Sequence, residues 1–167
     1  VQQTKPLIAL TPKSLLRHPK AVSAWPHFGS DFQSIIDDDL VPLAQAEKVI
    51  LCTGKVYYDL DAHRLENQHN KTAIIRLEQL YPFPFQELTV LLKDCPAKTW
   101  IWCQEEPQNM GAWSFVAPLL RTLNRDFVYV GRPAAASPAK PAAAAAAGKP
   151  AAGGAGAPML FAELNKG

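Results

Sequence analysis

Arg76-Leu77-Glu78-Gln79-Leu80-Tyr81-Pro82-Phe83-Pro84-Phe85 ends one apolar run. One helix length later Trp102-Cys103-Gln104-Glu105-Glu106-Pro107-Gln108-Asn109-Met110-Gly111-Ala112-Trp113 ends another. Each stretch places charged and amide residues directly after a strand-like segment. In an open α/β sheet that position is the carboxyl edge of a strand, where ligands and partner surfaces meet the fold. The two stretches therefore fix both the fold class and the place to look for a site.

Working outward, five short runs rich in β-branched or aromatic residues are predicted strands: residues 7–10, 48–52, 72–77, 99–103 and 127–130. The inner runs are continuously apolar, as in strands buried on both faces. Helical patterns lie between them. Phe85, Leu88, Leu91, Leu92 and Cys95 keep helical spacing behind Pro84, which suits a first-turn position. Residues 55–68 follow Gly54 as good helix formers, and Trp113, Val116, Leu120 and Leu123 mark a third face. Pro118 is expected to kink or restart that helix. Strands alternating with helices predict right-handed crossovers and a three-layer α/β/α domain with a five-stranded, mostly parallel sheet. Phe32, Ile35 and Ile36 add either an edge strand or a short helix, followed by an acidic turn at Asp37, Asp38 and Asp39.

Composition narrows the function classes. A chain of 167 residues has a one-domain length, and its formal net charge of +2 does not point to nucleic acid or an anionic membrane. No apolar stretch approaches the ~20 residues that span a bilayer, and no signal peptide is visible. Cys52, Cys95 and Cys103 form an odd set in apolar surroundings. They read as reduced, buried thiols of a protein from the cytoplasm or a mitochondrial matrix. The chain opens on Val1 and enters an apolar run within a few residues, as a fragment or processed product does.

After Arg132 the composition changes. Residues 133–158 are almost entirely Ala, Pro, Gly and Lys and are expected to be a semi-stiff linker. Residues 159–167 form a short amphipathic segment with Met159, Leu160, Phe161 and Leu164 on one side. The expected organisation is a domain over 1–132, the linker, and this terminal unit.

Each candidate site has two readings. Glu105 and Glu106 are adjacent carboxylates, which as a close pair can divide acid and base roles. Successive strand residues point to opposite faces, however, and that favours a carboxylate holding backbone N–H groups or bridging subunits. Arg76 and Glu78 offer an inter-subunit ion pair or anion contact, or else a cap on the following loop. Pro82 and Pro84 hold that loop extended. Tyr81, Phe83 and Phe85 then present a rigid aromatic surface suited to an interface, or pack beneath the next helix. Lys13, Arg17 and His18 stand near the start of a predicted helix. There they hold an anion or form a solvated face, with Lys13 and Arg17 on one side. No histidine pair has metal-ligand spacing with a supporting carboxylate or cysteine. Gly54-Lys55 is not a phosphate loop, because Val49 stands where the first glycine belongs and Val56 where Ser or Thr belongs. No Gly-Asp-Gly segment occurs.

The two opening stretches resemble one family. So do Thr11-Pro12-Lys13-Ser14-Leu15-Leu16-Arg17-His18-Pro19 and Leu51-Cys52-Thr53-Gly54-Lys55-Val56-Tyr57-Tyr58-Asp59-Leu60. That family is the thiamine-dependent decarboxylating component of 2-oxoglutarate dehydrogenase, and the match is to its transketolase C-terminal-like domain. The resemblance implies a non-catalytic domain that braces the active site and supplies homodimer contacts through Glu78, Tyr81, Phe83, Phe85, Glu105, Glu106, Asn109 and Trp113. Thiamine diphosphate and Mg²⁺ would belong to upstream domains of the whole enzyme, with neither bound by this chain alone. The dihydrolipoyl succinyltransferase component would be a further partner, in a multienzyme complex of the tricarboxylic acid cycle. Beyond Ala139 the chain departs from the family's ending. Two alternatives therefore stand beside that reading: a stand-alone interaction module with a tethered docking helix, and an effector domain holding an anion at Lys13, Arg17, His18 or Arg76.

Overall fold

The structure, a computed structural model, describes residues 6, 8–10, 13–29 and 32–136. The chain divides into two compact units, Val1–Phe32 and Gln33–Gly167. In the first, the described residues form two 3₁₀ turns, Lys13–Arg17 and Trp25–Gly29. The strand expected over residues 7–10 is not found. Ile8, Ala9 and Leu10 lie in no regular element, and Leu7 lies outside the described residues. Apolar composition favours a strand only where a neighbouring strand takes its backbone hydrogen bonds, and among the described residues of this unit there is no strand.

The second unit holds the sheet. Its strands are β1 (Ile35–Ile36), β2 (Lys48–Cys52), β3 (Thr72–Leu77), β4 (Thr99–Pro107) and β5 (Phe127–Arg132). Helices α1 (Val56–Glu66), α2 (Phe85–Leu92) and α3 (Trp113–Arg121) connect the last four. The spatial order is β1-β3-β2-β4-β5, with β1 antiparallel to β3 and the other pairs parallel. The expected five-stranded, mostly parallel α/β/α architecture is present. Its antiparallel edge is the two-residue strand at Ile35–Ile36, so the fifth strand comes from 35–36 instead of 7–10.

Period-two alternation builds the two faces. Val49 and Leu51, Ala73 and Ile75, and Trp100 and Trp102 pack against Leu88 and Leu92 of α2 and Val116 and Leu120 of α3. Ile50, Cys52, Ile74, Ile101, Cys103 and Val130 pack on the other side with Val56 and Leu60 of α1. Burying each large apolar side chain stabilises the fold by roughly 1.5–3 kcal/mol relative to exposure. The β2–α1–β3 connection moves toward one edge of the sheet, and the two later connections move toward the other. The divergence lies between β2 and β4, the topological switch point.

Three local devices fix this frame. Pro118 lies inside α3, which runs through it without restarting. The exposed ring takes the place of one donor in a helix whose Val116 and Leu120 are fully buried, and that packing holds the helix together. Arg125 stacks over Trp100 at 4.1 Å and donates to the Leu92 carbonyl at 2.6 Å, so it caps the end of α2. Asp38, from the expected acidic turn, is buried. It pairs with Arg64 of α1 and accepts the Ile74 N–H at 2.6 Å, which seals β3 where β1 no longer covers it. Asp61 completes the triad at 2.7 Å from Arg64. Burial alone would lower the Arg64 pKa, but the hydrogen bonds and charge of Asp61 and Asp38 raise it.

Candidate functional site at the carboxyl edge of the sheet

The carboxyl ends of β2, β3 and β4 bring most of the sequence-selected residues of this unit to one edge. After β2 the chain turns at Gly54, whose φ of +71° an L side chain rarely adopts. Lys55 follows as the N-cap residue of α1. Its Nζ lies 3.1 Å from Glu105 Oε1 of β4 and 3.4 Å from Asp59 Oδ2 one helical turn ahead. Burial opposes the Lys55 charge, and the bonds to Glu105 and Asp59 outweigh it, so its pKa is raised. The lysine therefore ties the two strands together at the switch point and is itself neutralised there.

Arg76, opposite Cys52 in the β2–β3 register, stacks its guanidinium over Tyr57 at 4.5 Å. Its Nε is 3.7 Å from Glu78 Oε1. The Glu78 and Gln79 N–H groups donate to the Ser34 carbonyl at 2.9 and 3.0 Å, while the Ser34 hydroxyl donates to Glu87 of α2. Ser34 thus clamps the loop that follows β3 between the edge strand and α2. Within that loop Tyr81 is 84% exposed and Phe85 is partly so, whereas Phe83 packs against the core under α2. The aromatic trio is divided: Tyr81 and Phe85 face outward and Phe83 faces inward.

The second stretch is organised by Gln104, which is fully buried. Its Oε1 accepts from Trp102 Nε1 at 3.0 Å and from the Trp113 N–H at 2.9 Å. Its Nε2 donates to the Met110 carbonyl at 2.7 Å and the Pro107 carbonyl at 3.2 Å. One side-chain amide therefore holds the whole turn from β4 into α3. Gly111, at φ +65°, closes that turn; a Cβ there would lie 3.0 Å from both Gln104 Nε2 and Glu106 Cβ. Tyr129 stacks at 5.4 Å on Trp113, and its hydroxyl lies 2.9 Å from the carbonyls of Glu106 and Arg132. Burial first, then the Cys103 and Glu106 charges, push its pKa up to about 12. Asn109 exchanges two 3.0 Å bonds with the Ala135 backbone.

Glu105 and Glu106 diverge as their strand positions dictate. Glu105 reaches Lys55, while Glu106 lies beside Gly111 and is exposed. They do not form an acid–base dyad. Cys52 and Cys103 sit opposite each other in register and are buried. Burial raises both thiol pKa values, that of Cys103 to about 12. Neither is a nucleophile in the folded state.

In the N-terminal unit Lys13 and Arg17 are exposed and His18 is half-buried. The element there is a five-residue 3₁₀ turn. In 3₁₀ geometry residues three apart eclipse, so Lys13 and Arg17 do not share the face that an α-helix would give them. Arg76 belongs to the other unit. Among the described residues no group of three or more His, Cys, Asp and Glu side chains is placed to hold a metal ion.

Sequence reading missed Gln104 as an organiser, Lys55 as a strand tie, and the Arg64–Asp38–Asp61 triad. Lys55 with Asp59, four residues apart, and Asp61 with Arg64, three apart, were the pairings with a helical sequence signal.

Residues 22–149 match the family model described as 2-oxoglutarate dehydrogenase C-terminal. The chain belongs to this family. It is 48% identical over 141 residues to the 2-oxoglutarate dehydrogenase E1 component of Cupriavidus necator, with 81% of this chain and 15% of that protein covered. The E1 component of Rickettsia typhi is 48% identical over 145 residues and that of Brucella anthropi 44% over 154, with the same coverage. The chain thus spans about 15% of the length of the curated relatives it matches. No helix among the described residues is long and apolar enough to cross a membrane.

Proposed function

We propose that this chain is the non-catalytic C-terminal domain of a 2-oxoglutarate dehydrogenase E1 enzyme. The observation that carries the reading is the combination of a C-terminal family match over most of the chain with coverage of only 15% of each relative. In the whole enzyme, thiamine diphosphate with Mg²⁺ would supply the chemistry that decarboxylates 2-oxoglutarate and succinylates a lipoyl group. That cofactor belongs to upstream domains. The present sequence lacks a Gly-Asp-Gly segment, and the described residues offer no converging metal ligands. What this chain's residues do is structural. Gln104, Lys55 and Ser34 hold the carboxyl-edge loops in fixed positions. Those loops offer Glu78, Tyr81, Phe85, Glu106 and Asn109 to the dimer partner and to the upstream domains. The succinyltransferase component of the complex is the further partner, in a bacterial cytoplasm or a mitochondrial matrix.

The test is turnover. The purified 167-residue chain, supplied with thiamine diphosphate, Mg²⁺ and 2-oxoglutarate, is expected to release no CO₂ above background. Cofactor-dependent decarboxylation by the pure chain would overturn the non-catalytic assignment.

A further inference from the structure

The N-terminal unit shows a surface that its own residues leave open. Ile8, Leu10, Leu16, Val22 and Trp25 are 83%, 96%, 72%, 75% and 85% exposed. No residue of the Lys13–Arg17 turn is buried. Single exposed apolar residues are ordinary, but here five large ones fall within residues 8–25 of the sequence, the raw material of an interaction surface. The contrast within the chain is sharp, since four of the five β2 residues are buried.

Charge adds a second observation. Residues 6–29 contain Lys13, Arg17 and Lys20 and no Asp or Glu. A surface that accepts this segment must bring apolar area and negative charge together. The run Ile8-Ala9-Leu10 adds a third. It has the composition of a strand buried on both faces, yet it lies in no strand. Such a segment is satisfied by joining the edge of another sheet, where the partner backbone supplies the missing hydrogen bonds.

The occupant follows from the comparisons. The C-terminal family match begins at residue 22, so residues 6–21 precede it. The relatives are several times longer than the matched region, and a C-terminal region has the rest of its polypeptide ahead of it. We propose that residues 6–29 are a docking arm, apolar and basic, that lies on an acidic-rimmed apolar surface of the upstream part of the enzyme, with Ile8-Ala9-Leu10 added to a sheet edge there. The proposal rests on the reading of this chain as the terminal domain of a longer protein. It gives the arm a separate task, which is to fasten that domain to what precedes it.

Hydrogen exchange read by mass spectrometry tests it, on the 167-residue chain alone and on the longer native polypeptide. The expected result is exchange at residues 8–25 at least tenfold slower in the longer polypeptide. There, the double substitution Lys13→Glu and Arg17→Glu should restore most of the lost rate and leave β2, β3 and β4 protected. Equal exchange in both forms would overturn the arm and leave the terminal-domain reading intact. Protection in the isolated chain that grows with its concentration would assign the surface to a second copy, which also overturns the proposal. A native polypeptide of only 18.3 kDa, the mass of this chain, would remove both the reading and the occupant.

Discussion

At the scale of single residues Gln104 holds the carboxyl-edge turn together. Its amide is buried and meets Trp102, Trp113, Met110 and Pro107 at once. Replacing it by Leu keeps the volume but strands several buried donors and acceptors, each costing about 1–3 kcal/mol. Gln104→Leu is expected to lower stability by about 3 kcal/mol in a guanidinium titration, with most of the change around residues 107–113. Glu105→Gln removes a half-exposed partner of Lys55 and should cost less than about 1 kcal/mol. Equal losses for the two would contradict the role given to Gln104. Nothing in the sequence marked Gln104 beyond its parity with Trp102, because its partners depend on a turn that only the fold creates.

The buried thiol gives a pH prediction with a definite sign. Cys103 has an ordinary pKa of 9.0, and burial first, then the Glu105 charge, push it up to about 12 in the folded chain. A folded pKa above the unfolded one means stability that is complete below pH 9 and lost as pH rises toward 12. Unfolding free energy should therefore fall steadily between pH 9 and pH 11, and a Cys103→Ala variant should show a shallower fall. At pH 8 the native chain should leave Cys52 and Cys103 unmodified by a thiol reagent, whereas all three cysteines should react after denaturation. Rapid native modification of Cys103 would contradict the burial argument.

At the scale of elements, two glycines separate backbone strain from crowding. Gly54 and Gly111 both have positive φ, but a Cβ at Gly54 would meet nothing within 4 Å, whereas one at Gly111 meets Gln104 and Glu106 at 3.0 Å. Left-handed backbone costs a non-glycine residue roughly 1–2 kcal/mol. Gly54→Ala should cost about that much. Gly111→Ala should cost more, because Gln104 is already held by its own bonds and has little freedom to move away. Thermal denaturation of the two variants checks the order.

The elements also show where sequence pattern carries and where it fails. The apolar runs at 48–52 and 72–77 were legible because strands buried on both faces need little else, and the run at 127–130, a half-exposed edge strand, was legible from its β-branched and aromatic residues. The run at residues 7–10 carries the same signal, but Ile8, Ala9 and Leu10 have no strand beside them among the described residues of their unit, so composition alone named it a strand. Ile35–Ile36 is two residues long, too short for periodicity to register. Its place is set by pairing with Leu77 and Arg76 and by Asp38 beside it. Helix α1 was legible from its residues but not its inner face, since Asp61 and Arg64 are buried there as an ion pair.

At the scale of the whole molecule, the carboxyl edge was readable as a place but not as a set of contacts. Arg76 with Glu78, and Glu105 with Glu106, were correctly sent to that edge by the two opening stretches. Their partners, Tyr57 and Lys55, come from distant parts of the chain and were not. The exposed tyrosine tests the assembly role. In the longer enzyme, Tyr81→Asp is expected to weaken self-association at least tenfold by sedimentation while the isolated domain keeps its melting temperature within a few degrees. Unchanged association would contradict the proposed dimer contacts at this loop.

On the proposed function this chain is part of a much larger E1 enzyme. The mass of the polypeptide in its native source, measured by immunoblot and intact-protein mass spectrometry, tests it most directly. The expected result is a species several-fold heavier than 18.3 kDa that contains these residues. A native species at 18.3 kDa would contradict it.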